Sequence, residues 1–288
     1  MLFYREYLPH PALRDIIHLY GVLGDNEVYT TEQVEVSAPV INKGLMFHYR
    51  RDGYLLNDNG RYVDELPRGF IMAQGTKPNV WKHTGGFAIF SVIFQPGKFR
   101  LLYKDPMLEF LNRPLTYDDY NDKTLLELQD IIVSAPNHNA RIQAVNRYFL
   151  KKVRYLHPAN DWLENALQQM YLHPQYNIGT ISKKVYKSES QLRKRFSRAF
   201  GISPKALQQL MRITHAVNLI GSGRTERLTD VAHLCGFTDQ SHFTHQFKAK
   251  TGVAPLAFQK AQQNLTQLLT HREQVINGYK KTHSRKSE

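Results

Sequence analysis

A stretch that occurs twice constrains this chain more than any other feature. From Leu228 it reads LTDVAHLCGFTDQSHFTHQFKAKTGVAP, and from Ile178 it reads IGTISKKVYKSESQLRKRFSRAFGISP. Ile178, Ile181, Phe196, Gly201, Ile202 and Pro204 match Leu228, Val231, Phe247, Gly252, Val253 and Pro255. The offset is 50 residues before the turn and 51 after it, so the later copy is one residue longer there. Two copies in register imply duplicated structure.

In the later copy Val231, Ala232 and Cys235 make one apolar face of a short helix. Gly236 suits the positive φ of a tight turn, and Asp239 is placed to cap a second helix. In that second helix Phe243 and Phe247 point inward, while Ser241, His242, Thr244, His245 and Lys248 point out. Gly252 ends it and Pro255 opens another. Two short helices joined by a glycine turn, the second with a polar outer face, is helix-turn-helix geometry.

Charge points the same way. Residues 1–150 carry 16 Lys+Arg against 17 Asp+Glu, whereas residues 151–288 carry 22 against 8, so the +13 excess lies with the repeat. Basic charge confined to one region is the footprint of a polyanion binder. The one cysteine, Cys235, excludes an intrachain disulfide and falls on an inner helix face, where a small buried hydrophobe is expected. The N-terminus has no signal-peptide pattern and no apolar run reaches membrane-spanning length, so a cytoplasmic, nucleoid-associated protein without a membrane partner is expected.

The GF dipeptide, then DQSHF, QFK and TGVAP, preceded by RITHAVNLI, resembles the signature of the AraC/XylS family of bacterial transcription regulators. The resemblance runs from Trp162 to Gln259, about a third of the chain. Tyr186 stands where the first turn often has Gly, and Phe258-Gln259 replaces the usual Tyr-Arg ending. The first half resembles, more faintly, the cupin-like sensor domain of such regulators, through GLMFHY at Gly44–Tyr49 and IFQPGKFRLLYKDPMLEFLNRPLTYDD at Ile93–Asp119. The expected class is α+β in two domains: an N-terminal β-barrel with trailing helices, then an all-α domain of two helix-turn-helix units joined by a long helix. The expected domains are residues 1–120 (barrel), 121–157 (helical linker), 158–262 (DNA-binding) and 263–288 (a helix near Leu265–Leu269 and a basic tail).

The first half supports the barrel on its own terms. Apolar or alternating runs at Val34–Val36, Leu45–Tyr49, Gly69–Ala73 and Phe87–Phe94 are separated by glycine-rich turns. The opening LPHPALRDIIHLYGVL reads as a short helix or extended segment leading into a strand. Phe47, Tyr49, Trp81 and Phe94 are candidates to line a pocket for a small effector; ordinary barrel core is the competing reading. His48 and His83 each stand alone, without the paired histidines of metal-binding cupins, so no metal or cofactor is expected. Leu125, Leu128, Ile131 and Ile132, then Ile142, Val145, Tyr148, Phe149 and Val153, form two helical stripes, suited either to their own domain or to a homodimer contact. Asp161 should cap a helix whose inner residues are Trp162, Ala166, Leu167 and Met170; the long helix from Pro204 spans roughly 24 Å.

Outward residues of the second helix in each unit are the candidates to read DNA. In the first unit these are Ser190, Arg193, Lys194 and Ser197, with Arg195 and Arg198 on the flanks and Lys183 and Lys184 as phosphate contacts. In the second they are Gln240, Ser241, Thr244, His245 and Lys248; His245 stands where the family often has Arg. The resemblance implies double-stranded DNA, RNA polymerase and a small-molecule effector as partners, and activation as the commoner mode. The competing reading keeps DNA binding but gives the barrel only dimerisation or protein contacts. No G-x-S-x-G, Walker loop, G-x-G-x-x-G or H-E-x-x-H is present, and the DNA-repair methyltransferases that share this domain need a cysteine outside it, so no enzyme is expected.

Overall fold

Alternation along strands and a 3.6-residue period along helices divide the chain into a sheet region and a helical region. The computed structural model describes residues 2–25, 33–37, 43–51, 55–56, 62–63, 67–72, 75–76, 79–83, 86–103, 115–154, 162–221 and 227–260. Its contacts form two compact units: Met1–Glu35, Asn42–Gln74 and Val80–Pro158 make the first, and Val36–Ile41, Gly75–Asn79 and Ala159–Glu288 the second.

The strands of the sheet region are β1 (Leu2–Tyr7), β2 (Ile17–Asp25), β3 (Gln33–Ser37), β4 (Gly44–Arg51), β5 (Leu55–Leu56), β6 (Tyr62–Val63), β7 (Gly69–Met72), β8 (Asn79–His83), β9 (Phe87–Phe94) and β10 (Leu115–Thr116). Three helices come next: α1 (Tyr117–Tyr120), α2 (Lys123–Ser134) and α3 (His138–Val153). Six strands form one sheet in the open order β1-β2-β9-β4-β7-β10, while β3 with β8 and β5 with β6 form two-stranded sheets. Pairing within the large sheet is antiparallel, with Leu45 opposite both Val92 and Ile71, and Phe47 opposite Phe90.

Because successive strand residues face opposite ways, this register puts Tyr20, Val22, Leu45, Phe47, Ile71, Phe90, Val92 and Phe94 on one face. They share a core with Leu125, Leu128 and Ile132 of α2 and Val145 and Phe149 of α3. Tyr117 enters the same core, donating from its hydroxyl to Met46 O at 3.0 Å. A Cβ on Gly69 would collide with the Tyr117 ring, which is why no larger residue stands there. Asp122 caps α2 by accepting from Thr124 N (2.9 Å), and Asn137 caps α3 by accepting from Ala140 N (2.9 Å).

The opening segment is a 3₁₀ turn at Pro11–Leu13 leading into β2, in line with the sequence, and a strand, β1, precedes it. One expectation changes. Ile131 is not part of the inward stripe of α2: it is 51% exposed, while Gln129 is buried. His48 is buried, its Nδ1 2.7 Å from Pro67 O, and burial lowers its pKa to about 4. Among the described residues no three His, Cys, Asp or Glu side chains converge as metal ligands.

The helical unit comprises α4 (Trp162–Leu172), α5 (Ile178–Lys184), α6 (Glu189–Phe200), α7 (Pro204–Gly221), α8 (Leu228–Leu234), α9 (Gln240–Thr251) and α10 (Pro255–Lys260). In α4 Leu163, not Trp162, joins Ala166, Leu167 and Met170 as the buried set; Trp162 lies half-buried under Lys187, whose Nζ is 6.0 Å from its ring. The long helix α7 has 18 residues, or roughly 27 Å of length, somewhat more than the sequence suggests. Leu207, Leu210 and Met211 are buried in its first half, and Ile213, Ala216, Val217 and Ile220 belong to the core beneath α8 and α9. The capping role of Asp161, the helix near Leu265–Leu269 and the basic tail lie outside the described residues. No helix among the described residues is long and apolar enough to cross a membrane.

Candidate nucleic-acid interface

The two repeats fold alike, bond by bond. Helices α5 and α8 have 7 residues each, and α6 and α9 have 12 each. After each first helix one residue takes the left-handed conformation: Tyr186 at φ 53° and Gly236 at φ 78°. The next N–H then folds back, Lys187 N to Ser182 O at 3.0 Å and Phe237 N to Ala232 O at 2.9 Å. These paired bonds assign the extra residue of the second copy to Thr238.

Capping completes the frame. Ser188 accepts from Gln191 N (3.2 Å) while the Gln191 side chain accepts from Ser188 N (2.9 Å), a capping box for α6. Asp239 accepts from His242 N at 2.7 Å to cap α9. That bond holds the Asp239 carboxyl below the usual carboxylate range, aided by Thr238 and His242. Gly201 at φ 70° and Gly252 at φ 81° close the two helices, donating to Ser197 O (2.8 Å) and Lys248 O (2.9 Å).

Buried aromatics orient each second helix. Leu192, Phe196, Ala199 and Phe200 are buried along α6; Phe243 and Phe247, with ring centroids 5.6 Å apart, are buried along α9. Phe237 packs 5.3 Å from Phe243, and the Arg212 guanidinium lies 5.9 Å from the Phe237 ring. Cys235 is fully buried beside Arg212, and burial pushes its thiol up to about 12, which makes it a packing residue.

With those faces spent, Ser190, Arg193, Lys194 and Arg198 are exposed on α6 and Ser197 is half-exposed. On α9 Gln240, Ser241, His245 and Lys248 are exposed and Thr244 is half-exposed. Lys183 and Lys184 are exposed at the end of α5. Arg193 carries an i,i+4 ion pair with Glu189 at 3.7 Å, with both side chains half or more exposed. Such a pair is weak and exchanges readily for phosphate or a base edge. Tyr186, 92% exposed on the first turn, is a surface residue that reasoning from motif positions did not assign. A non-glycine residue at a left-handed turn position was the signal for it.

Of the aromatics expected to line an effector pocket, Phe47 and Phe94 are fully buried in the helix-covered core of the sheet unit. Phe94 packs edge-on against Phe99 (5.2 Å) and Phe149 (5.7 Å). Tyr49 is half-buried near the end of β4, and the Trp81 side chain lies outside what the structure describes.

A helix-turn-helix domain family matches residues 181–261, and a domain of unknown function (DUF6597) matches residues 5–116. The chain is 30% identical over 97 residues to the probable transcriptional regulator LumQ of Photobacterium leiognathi, covering 34% of this chain and 38% of that one. It is 34% identical over 101 residues to the transcriptional activator RhaR of Pectobacterium atrosepticum, covering 35% and 34%. The aligned region is thus little more than a third of these relatives' length. Apo ToxT of Vibrio cholerae is similar to this chain at 13% identity and a TM-score of 0.48, over 83% of this chain and 97% of that one.

Proposed function

We propose that the chain is a transcription regulator of the AraC/XylS type that binds specific DNA sequences through α6 and α9 and responds to a small effector. The observation that carries this reading is the duplicated helix frame, whose outward side chains are hydrogen-bonding or cationic in both copies. Recognition helices project such groups into the major groove while buried aromatics hold them in register.

Arg193 and Lys194 read bases, with guanine O6 and N7 the natural partners of Arg193. Lys183, Lys184 and Arg198 contact phosphate, and Ser190 and Ser197 supply further hydrogen bonds. In the second unit Gln240, Ser241, Thr244 and His245 face the bases, and Lys248 faces phosphate. The length of α7 suits two recognition helices on adjacent major-groove segments, roughly one turn of DNA apart. The sheet unit, open in its strand order but cupin-like in this reading, acts as the sensor, and the protein works as an activator at promoters, in the cytoplasm, with RNA polymerase as partner. One observation favours a second reading, in which this unit serves only dimerisation or protein contact: Phe47 and Phe94 are consumed by core packing.

The test is binding of the full-length protein to genomic fragments over a salt series. The proposal expects retention of a discrete set of fragments at physiological salt. Uniform retention that collapses with salt would mean backbone contact only.

A further inference from the structure

Arg141, in the first turns of α3, is only 6% exposed, yet no carboxylate among the described residues pairs with it. Its Nε donates to Ile132 O at 3.0 Å, and its guanidinium lies over the Tyr49 ring, with Cζ 4.0 Å from the ring centroid. The Nε bond occupies one edge. The terminal Nη1 and Nη2 groups form a fork that donates to two parallel oxygens.

Aromatic and basic side chains surround Arg141 among the described residues. His138 lies one helical turn earlier, its ring 5.9 Å from Tyr49 and 6.2 Å from Tyr7. Its Nδ1 is buried and without a hydrogen-bond partner among the described residues. Burial and then the charges of Arg141 and Arg5 hold this imidazole below the usual histidine range. Arg5 and Tyr7 alternate onto the same face of β1, opposite Val22 and Tyr20 of the core-facing set. Guanidinium groups act on both rings beside Arg141, Arg141 and Arg5 on His138 and Arg141 and Arg50 on Tyr49. A buried guanidinium over a ring is incompletely compensated without an anion.

We propose that Arg141, Arg5, Tyr7, Tyr49 and His138 form a binding site for the carboxylate of a small organic acid, held end-on by the Arg141 fork. One negative charge matches one buried fork, and the rings of Tyr7 and His138 offer a surface for a flat apolar body. This site lies in the sheet unit and stands apart from the DNA-reading helices. It does not depend on the DNA-binding proposal.

The test uses the full chain without DNA, with phenylacetate as probe, and reads thermal unfolding. Phenylacetate should raise the midpoint saturably, while phenylacetamide, which has the same shape without the charge, should not. Arg141→Met should abolish the response, because the fork that holds the carboxylate has gone. Arg5→Gln, at an exposed position, should weaken binding several-fold with the unliganded midpoint unchanged. It serves as the readout if Arg141→Met fails to fold. The proposal is overturned by no saturable response, by equal responses to acid and amide, or by a response that survives both substitutions. A response to inorganic phosphate but not to phenylacetate overturns the carboxylate assignment.

Discussion

The α5–α6 and α8–α9 units share a frame but not a chemistry. Position by position, Lys183 and Lys184 face His233 and Leu234, while Arg193, Lys194, Arg195 and Arg198 face Thr244, His245, Gln246 and Ala249. The frame is held by parts that recur: a cap, a left-handed residue, the buried phenylalanine pair Phe196 and Phe247, and a closing glycine. Outward positions are released from folding and diverge. The first copy concentrates cations, suited to phosphate and guanine; the second concentrates neutral hydrogen-bonding groups, suited to base edges with less salt dependence.

Five experiments would break or sharpen that contrast. Phe196→Ala and Phe247→Ala should each cost about 3–5 kcal/mol in denaturant unfolding, since both rings are fully buried in equivalent places. A large cost at one and a negligible cost at the other would dissolve the equivalence. On cognate DNA, Arg193→Ala should lose about 1–3 kcal/mol of binding, and Thr244→Ala clearly less. Removing Lys183 should lower the salt slope by about one and weaken all sequences alike.

The turns should respond in opposite directions. Tyr186→Gly relieves a left-handed side-chain conformation and should add about 1 kcal/mol of stability. Gly236→Ala should destabilise, because its Cβ would sit 2.7 Å from the Pro174 backbone as well as at positive φ. The smallest effect is in acid. Asp239 has a lowered pKa in the fold, so its cap contributes fully above the unfolded value near 3.8 and loses that contribution as pH falls toward the folded value. Ser188, the equivalent cap, does not titrate there. Asp239→Ser should therefore flatten the acid limb of a stability-versus-pH curve, and an unchanged limb would remove Asp239 as a contributor to acid stability.

Sequence reading reached the repeat because its determinants are local. Phe243 and Phe247 one helical turn apart, Gly252 and Asp239 each declare their role within a few residues. The sheet unit was less legible. Strand alternation shows that Phe47 and Phe94 share a face with Leu45 and Val92, but it does not say that α2 and α3 cover that face. The edge strand β1 mixes Arg5 and Glu6 among aromatics and lacks a clean alternation. In α4 the choice between Trp162 and Leu163 turned on one residue of helical phase, which only packing decides. The Arg141 cluster is illegible in principle, since residues 5, 7, 49, 138 and 141 meet only through the fold.

The central claim, two unequal recognition helices on one frame, is tested most directly by selecting binding sites from random DNA with wild-type protein and with Arg193→Ala. Two dissimilar half-sites about one helical turn apart are the predicted result. The variant should relax base preference in only one of them, at a position where wild type prefers guanine. A single half-site, or equal relaxation of both halves by that substitution, would contradict it.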